Sequence, residues 1–389
     1  MSRQTAYIYS DSFQKYDLSP WHPMKPVRLM LTAGLMRAYG LPQRDNVSEV
    51  EPRLATDEEL ELIHGPEYIG KVRELSAPGA REGDGMGWGL GTGDNPVFVD
   101  MHEASATIAG GAVQAADLVM SGELDHVFHF AGGLHHAQRD RASGFCVYND
   151  VAIAAAHLKH KYGARVLYVD IDAHHGDGVQ NAFYDDPQVM TVSFHESGRH
   201  LFPGTGFTSQ LGEGAGRGYA VNLPLEPFTT DSVMLDAFDR LVPSLARAFK
   251  PDMIITQNGC DAHWSDPLAH LSLTMEGYAG LAARMHELVH EVCEGRWLAS
   301  GGGGYQAYTV VPRVWTQLMG EMAEVRLPEE LPAGWREFCG RFADSEVPLY
   351  LTRDDHAPEA DAATLEMIRA ATGAAIEELR ATVFPLVGA

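Results

Sequence analysis

An Asp-x-His pair directly follows one of the most apolar segments of the sequence. The segment ARVLYV leads into DIDAHHGDG, so Asp172 and His174 stand two residues apart at the end of a predicted strand. Side chains with this spacing project to the same side of an extended chain. A carboxylate oxygen and an imidazole nitrogen are suitable ligands for Zn²⁺, Fe²⁺ or Mn²⁺, and Asp261, after the segment MIITQNGC, is a candidate third ligand. Three ligands leave positions open for water and substrate, as a catalytic metal site requires.

Two adjacent histidines and two further carboxylates accompany this group. His135 and His136 follow the predicted strand HVFHF, and Asp170 and Asp177 flank the Asp-x-His pair. An isolated Asp-x-His would be read as a surface turn, but matching residues at other strand ends favour a site. A carboxylate that accepts a hydrogen bond from one ring nitrogen orients the histidine and makes its other nitrogen more basic. Paired His–Asp units beside a metal are the groups that metal-assisted hydrolysis needs.

A run of four glycines, residues 301–304, comes directly before Tyr305. A phosphate-binding loop would need G-x-x-x-x-G-K-[ST] or G-x-G-x-x-G spacing, and neither is present. The glycines instead let the backbone approach a site closely. Tyr305 is then a candidate hydroxyl donor to a developing oxyanion.

These residues have to be positioned by an α/β fold. Short apolar or β-branched runs alternate with longer helical stretches, a pattern that predicts a mainly parallel central sheet with helices on both faces. In such a sheet, ligands bind at the carboxyl ends of the strands, where all the residues above lie. The predicted strands are TAYIYS, HVFHF, ARVLYVDID, VMTVSFH, DMIITQNG and RWLASGG.

The length of 389 residues suggests two or three domains at about 150 residues each. The doubly wound pattern, however, continues to about residue 320 without an internal repeat or a Pro/Ser-rich linker, so one large domain is expected. We predict a catalytic domain over residues 1–324 and a helical C-terminal extension, residues 325–389, packed on the same domain. The glycine-dense residues 82–96 are predicted to form a surface loop.

The charge and cysteine content exclude several classes of partner. Lys and Arg number 29 against 53 Asp and Glu, a net charge of −24, so binding to duplex DNA or an anionic membrane is not expected. The four cysteines form no C-x-x-C pair, which argues against a disulfide framework or a zinc ribbon and favours a reducing compartment. No leader and no apolar run of about 20 residues is apparent. A soluble, cytoplasmic protein is therefore expected.

Six ordered motifs resemble the zinc-dependent histone deacetylase superfamily over roughly residues 5–320. They are GGLHHA, SGFCVYND, YVDIDAHHGDG, FPGTG, the Asp261 that follows a strand, and GGGGY. The sequence looks most like the class I enzymes and the bacterial acetoin-utilisation (AcuC-type) branch. The resemblance implies an arginase/deacetylase-like three-layer α/β fold and removal of an acyl group, acetyl by default, from a lysine side chain. The implied substrate is an acetylated protein such as a metabolic enzyme.

The resemblance also implies a role for each candidate residue. Asp172, His174 and Asp261 match the metal ligands, with Zn²⁺ as the implied ion and Fe²⁺ as the alternative in the cell. His136, supported by Asp177, matches the general base that activates the metal-bound water. His135, supported by Asp170, matches its electrostatic and acid partner, and Tyr305 matches the phenol that polarises the carbonyl group.

Further positions match the substrate tunnel of that family. Apolar walls are implied at Gly144, Phe145 and Phe202, and two aromatic faces suit an aliphatic lysine stem. Asp94 matches a rim carboxylate that holds the substrate backbone, and Arg28 matches a buried arginine near the tunnel foot. Structural K⁺ or Na⁺ ions are implied near Asp170 and Ser193. Two departures are Leu201-Phe202, in place of a frequent double aromatic, and His263-Trp264, to which no role is assigned.

Three rival functions remain to be weighed. A two-metal ureohydrolase needs an Asp at position 176 and a D-x-D at the later strand, but these positions carry Gly176 and His263. An acetylpolyamine deacetylase needs a carboxylate at the mouth, where Leu268 stands, although Glu196 and Asp94 keep a cationic substrate open. A non-catalytic acyl-binding protein would be expected to lack the His pair, a ligand or Tyr305. The acyl group, the substrate protein, the metal and the oligomeric state stay open.

Overall fold

The computed structural model describes residues 3–343, 345–354 and 357–389. Within these residues one sheet contains eight strands, and every neighbouring pair is parallel. The order across the sheet is β2-β1-β3-β8-β7-β4-β5-β6. The strands are β1 Thr5–Ile8, β2 Val47–Val50, β3 His126–His129, β4 Val166–Asp170, β5 Val189–Glu196, β6 Ala220–Leu225, β7 Met253–Gln257 and β8 Trp297–Ser300. The predicted parallel α/β sheet is thus confirmed.

Helices connect and cover the strands. They are α1 Val27–Ala38, α2 Asp57–Leu60, α3 Pro66–Leu75, α4 Met101–Met120, α5 Asp150–Tyr162, α6 Asp177–Ala182, α7 Asp231–Phe249, α8 Met275–Val292, α9 Val311–Met322, α10 Ala333–Cys339, α11 Ala362–Thr382 and α12 Phe384–Val387. α4 packs against α5, and α1, α9, α8 and α7 pack in a row. Because helices cover both faces, β4, β5 and β7 are buried along their whole length. None of the helices in the described ranges is both long and apolar enough to cross a membrane.

Two strands were not predicted from the sequence, and they form the two edges of the sheet. β2 is short and polar, with Ser48 and Glu49 exposed, so it lacks an apolar run. β6 contains Pro224, which has no backbone N–H to donate to a neighbour. Proline is tolerated there because an edge strand has a neighbour on one side only. Part of the predicted 82–96 loop also forms a short 3₁₀ helix, Glu82–Trp88.

The C-terminal part of the chain packs on the sheet domain in two places. The segment before α11 contributes Trp335 to a small apolar cluster with Leu31 and Leu35 of α1, and the Trp335 indole N–H donates to the carbonyl of Leu31. α11 packs on α7 and β6, and Arg240 of α7 forms an ion pair with Glu377 at 2.7 Å. We propose on this basis that residues 325–389 are an extension of a domain formed by residues 1–324.

Candidate metal and catalytic site

The candidate residues lie together at the carboxyl ends of the strands, because all strands run in the same direction. Asp172 and His174 follow β4, Asp261 follows β7 and Tyr305 follows β8. His135 and its neighbour follow β3 after a short turn. β3, β8, β7 and β4 are consecutive in the sheet, so the four strand ends present these side chains to a common volume.

The three predicted ligands form a compact buried group. One ligand atom from each of Asp172, His174 and Asp261 lies within 4.8 Å of the other two. The Nδ1 atom of His174 lies 2.9 Å from Oδ2 of Asp261 and 3.2 Å from Oδ1 of Asp172. Two carboxylates and an imidazole in a buried cluster are a donor set that fits a divalent transition metal.

Backbone groups hold the carboxylates of this cluster in place. The Gly303 N–H donates to Oδ2 of Asp172 at 2.7 Å, and the Ala173 N–H donates to Oδ1 of Asp261 at 2.8 Å. A Cβ atom on Gly303 would lie 2.0 Å from Oδ2 of Asp261, so the glycine run is what lets the backbone come this close. Burial disfavours a charged imidazole, but the hydrogen bonds to both carboxylates outweigh it and raise the pKa of His174 well above its ordinary value.

Each of the two adjacent histidines has its own carboxylate. His135 Nδ1 lies 2.9 Å from Oδ2 of Asp170, and His136 Nδ1 lies 2.7 Å from Oδ1 of Asp177. The Tyr168 hydroxyl also donates to Asp170, at 2.6 Å. The pairing expected from the sequence is therefore present in space.

The same two histidines have pKa values shifted in opposite directions. Burial, together with the positive charge of neighbouring His135, lowers the pKa of His136 to about 4. Burial also opposes charge on His135, but the carboxylates of Asp172 and Asp170 outweigh it and raise its pKa to about 9. One histidine is thus suited to accept a proton and the other to carry one.

Aromatic side chains border the cluster. The Phe202 ring is 43% exposed and meets the His136 ring edge-on, with centroids 5.1 Å apart. The Phe145 ring meets the Tyr305 ring edge-on at 5.8 Å. Gly144 lies between these walls with a φ of +52°, and a Cβ atom there would come within 2.5 Å of Cδ2 of His136. The three predicted tunnel residues therefore all lie beside catalytic candidates.

Two buried groups hold the backbone around Tyr305. The Tyr305 N–H donates to Oδ2 of Asp266 at 2.9 Å, and Arg28, which stacks over the Trp315 ring, donates to the Gly304 carbonyl at 3.0 Å. Burial, reinforced by the charge of nearby carboxylates, raises the pKa of Tyr305 well above its ordinary value. The phenol therefore keeps its proton at neutral pH and can act as a hydrogen-bond donor.

The remaining predicted residues lie outside the buried cluster or beside it. The Asp94 side chain is exposed, and its carbonyl accepts a hydrogen bond from Nε2 of His22 at 3.2 Å. Leu268 is half-buried, and its N–H donates to Oδ1 of Asp266 at 2.9 Å. Ser193 pairs with Asp170 across β4 and β5, and its hydroxyl contacts Nδ1 of His195 at 2.8 Å.

Glu196 does not lie where a substrate could contact it. Glu196 was one of the carboxylates that kept a cationic substrate open, but its side chain is fully buried. Its two oxygens accept hydrogen bonds from the N–H of His270 at 2.7 Å and from Nδ1 of the same residue at 3.0 Å. The expectation that Glu196 is available to a cationic substrate was wrong, because β5 continues through this residue and directs it into the protein.

Several positioning residues were missed in the sequence. Asp150, in the motif SGFCVYND, accepts hydrogen bonds from the N–H groups of Gly133 and Leu134. Asn149 donates to the carbonyl of His135 at 3.2 Å. These contacts fix the turn that presents the histidine pair, and the ND dipeptide at the start of α5 was the available signal, since Asn is a preferred N-cap.

His263, to which no role was assigned, connects two parts of the chain through hydrogen bonds and is not one of the candidate metal ligands. Its Nε2 lies 3.2 Å from Oδ2 of Asp354 and its Nδ1 lies 2.9 Å from the Ser265 hydroxyl. The same Asp354 oxygen accepts the N–H of Met275 at the start of α8. The loop after Asp261 is thereby tied to the C-terminal part of the chain.

Comparisons with known proteins agree with this geometry. Residues 22–322 match the family model of the histone deacetylase domain. The acetoin utilization protein AcuC of Bacillus subtilis (strain 168) is 47% identical over 333 residues, which cover 86% of each chain. The protein of the same name from Staphylococcus aureus (strain MRSA252) is 43% identical over 89% of this chain and 88% of its own length. A crystal structure of an HDAC homolog complexed with SAHA superposes with a TM-score of 0.84 at 30% identity, over 96% of this chain and 100% of the other.

Proposed function

The chain belongs to the histone deacetylase family, a family of metal-dependent hydrolases, and we propose on that premise that it removes acetyl groups from lysine side chains of proteins. The observation that carries the proposal is the convergence of two separate His–Asp pairs on one three-ligand cluster. The Nε2 atoms of His135 and His136 contact each other, and the Nδ1 atom of each ring contacts a different carboxylate. A binding protein without catalysis has no need of two such pairs.

Asp172, His174 and Asp261 would hold the metal ion, which we propose to be Zn²⁺, with Fe²⁺ as the alternative. The donor set of two carboxylates and one imidazole fits either ion. When bound, such an ion acts as a Lewis acid toward a carbonyl oxygen and makes water a better nucleophile.

The histidine pair would manage the protons of the reaction. His136 accepts a proton from the attacking water at Nε2, while the Asp177 carboxylate holds its Nδ1–H and orients the ring. The same proton is later delivered to the leaving amine as the C–N bond breaks, so that the products are acetate and a lysine amine. His135, held by Asp170, supplies positive charge beside the developing oxyanion.

Tyr305 and the aromatic walls would place the substrate. The Tyr305 hydroxyl donates to the acetyl oxygen, and its backbone is held by Asp266 on one side and by Arg28, through the Gly304 carbonyl, on the other. Phe145 and Phe202 bracket an aliphatic stem between aromatic faces and exclude water from it.

A protein substrate is favoured over a polyamine by the charges around the site. Leu268 presents an apolar side chain where a polyamine site needs a carboxylate, and Glu196 is buried and paired with His270. Asp94 is the exposed carboxylate among the predicted substrate contacts, and one rim carboxylate is suited to the backbone N–H groups of a peptide. The overall charge of −24 and the exposed Asp94 carboxylate are the observations that favour a cationic polyamine.

The test compares acetyl-lysine peptides with acetylated polyamines as substrates of the purified, metal-loaded protein. We expect peptide turnover that falls to background in Asp172→Ala, and by about 10²- to 10³-fold in kcat in Tyr305→Phe. Tyr162→Phe is the matched control, because Tyr162 is an exposed tyrosine at the end of α5. Faster turnover of polyamines would replace the proposed substrate, and peptide activity that survives Asp172→Ala would refute the metal site.

A further inference from the structure

Three histidines lie close together at the amino ends of the strands, on the side of the sheet opposite the candidate active site. His126 is the first residue of β3, and His286 and His290 lie one turn apart on α8. The ring centroids are 5.0 Å apart for His126 and His286, 5.1 Å for His126 and His290, and 4.8 Å for His286 and His290. The active-site residues follow the carboxyl ends of the strands, so the length of β3 separates the two groups.

The hydrogen bonds of two of these rings determine which nitrogen carries the proton. Nδ1 of His126 lies 2.7 Å from the carbonyl oxygen of Met322, and Nδ1 of His286 lies 2.9 Å from a carboxylate oxygen of Glu321. Both partners can only accept, so in the neutral rings each Nδ1 is the donor and each Nε2 carries a lone pair. Hydrogen bonds of this kind, to a carboxylate or a backbone carbonyl, orient histidines that bind metals.

The nitrogens left over have no hydrogen-bond partner among the described residues. They are Nε2 of His126, Nε2 of His286 and both ring nitrogens of His290, and all four atoms are buried from solvent. A buried polar atom without a partner is unfavourable, and most such atoms in proteins are paired. Lone pairs that face one another are satisfied by a group that accepts electron pairs, and a metal ion is such a group.

We propose that His126, His286 and His290 bind a second divalent transition-metal ion, with Zn²⁺ as the representative ion. One nitrogen of each ring lies within 4.8 Å of the other two. Two nitrogens that bind one tetrahedral zinc ion at about 2.1 Å are roughly 3.4 Å apart, so modest ring rotation closes the site. His290 is half-buried and can make this adjustment.

The backbone at Gly295 passes close to two of the three histidines. Gly295 has a φ of +85°, and a Cβ atom there would lie 2.7 Å from Cε1 of His290 and 3.7 Å from Nε2 of His126. A side chain at this position would therefore fill the space beside the cluster. The ion would join the start of β3, the C-terminal half of α8 and the end of α9, where Glu321 and Met322 lie. Its role would be structural, because these elements are distant in sequence.

The experiment separates this site from the active site. The Asp172→Ala variant removes one ligand of the active-site cluster, and in this background chelator-treated full-length protein is dialysed against Zn²⁺. We expect one zinc ion per chain by mass spectrometry, and none in Asp172→Ala/His290→Ala. His160→Ala in the same background is the matched control, because His160 is exposed on α5, and it should retain the ion.

A second variant keeps the test independent of folding defects. Glu321 is partly exposed and contacts His286 without being a ligand, so Glu321→Gln in the Asp172→Ala background should weaken zinc binding by about 10- to 100-fold. In the otherwise native protein, His290→Ala should lower the zinc content from two ions per chain to one and leave deacetylase activity unchanged. In the Asp172→Ala background, a failure to bind zinc, or zinc that persists when His290→Ala is added, would overturn the proposal, and neither result bears on the deacetylase function.

Discussion

The Nε2 atoms of His135 and His136 lie 3.0 Å apart, while the Nδ1 atoms of the two rings face different carboxylates. Because both Nδ1–H groups donate hydrogen bonds to carboxylates, a hydrogen bond between the two Nε2 atoms contains a single proton. The charges of Asp170 and Asp172 favour that proton on His135. His136 is thus the member of the pair whose Nε2 carries no proton and can accept one.

We therefore expect substitutions of His136 and of Asp177 to lower kcat by different amounts. His136→Ala removes the proton acceptor and should lower kcat by about 10²- to 10⁴-fold. Asp177→Asn keeps the base but changes the group that holds its Nδ1–H, and should lower kcat less. Steady-state kinetics on an acetyl-lysine peptide measures both, with His160→Ala as an exposed control. A His136→Ala variant with near-native kcat would disprove this assignment.

Gly144→Ala should damage activity through contact rather than through backbone strain. The new Cβ atom would lie 2.5 Å from the His136 ring and 2.9 Å from the Phe202 ring. Gly163→Ala is the matched control, since Gly163 also has a positive φ, +67°, and a Cβ atom added there would have no non-neighbouring atom of the described residues within 4 Å. We expect both variants to lose stability in thermal denaturation, but only Gly144→Ala to lose most of its kcat. Equal kinetic effects would show that His136 is not restrained at this position.

Leu268→Glu tests whether position 268 sets the preference between acetyl-lysine peptides and acetylpolyamines. The added carboxylate should form an exposed ion pair with a cationic substrate. We therefore expect the ratio of kcat/KM for acetylpolyamine over acetyl-lysine peptide to rise about two- to fivefold. Leu54→Glu adds the same charge at a half-exposed leucine elsewhere and should leave the ratio unchanged. If both variants shift the ratio equally, total charge and not position 268 decides the preference.

Burial of His64 should make part of the stability of the folded protein sensitive to acid. Its Nδ1 faces the Gln138 carbonyl at 2.9 Å and its Nε2 accepts the Asn149 N–H at 3.0 Å, so the folded protein has no place for a second ring proton. Burial lowers the pKa of His64 from 6.5 to about 4. The unfolded chain therefore binds a proton that the folded protein does not as pH falls from 6.5 to 4, and stability is lost in that window.

The measurement is the free energy of unfolding in urea at several pH values. His64→Gln should be most destabilising near pH 7, and its cost should shrink by about 1.4 kcal/mol per pH unit within the window, because the variant no longer takes up this proton on unfolding. His160→Gln, at an exposed site, should show no such trend. A constant cost of His64→Gln across pH would contradict the buried neutral state.

Local patterns in the sequence were sufficient to single out the candidate site residues. The two-residue spacing of Asp172 and His174, the adjacent histidines and the glycine run before Tyr305 each depend on a few consecutive positions. The alternation of apolar runs and helical stretches likewise predicted the parallel sheet, because a strand buried on both faces is recognisable from its own composition. Edge strand β2 lacks that composition, and Pro224 interrupts the apolar run of edge strand β6, so both were missed.

Contacts between distant positions required the tertiary structure. Which carboxylate each histidine faces, the burial of Glu196 against His270, and the support of Tyr305 by Asp266 all depend on the order β3-β8-β7-β4-β5 in the sheet. The same holds for His126 and His290, which are remote in the sequence and meet because α8 packs at the amino ends of β3 and β8. The sequence by itself determined which side chains can do chemistry, through short-range spacing. Only the fold decided which of them meet, because strand order and helix packing are set by burial over the whole chain.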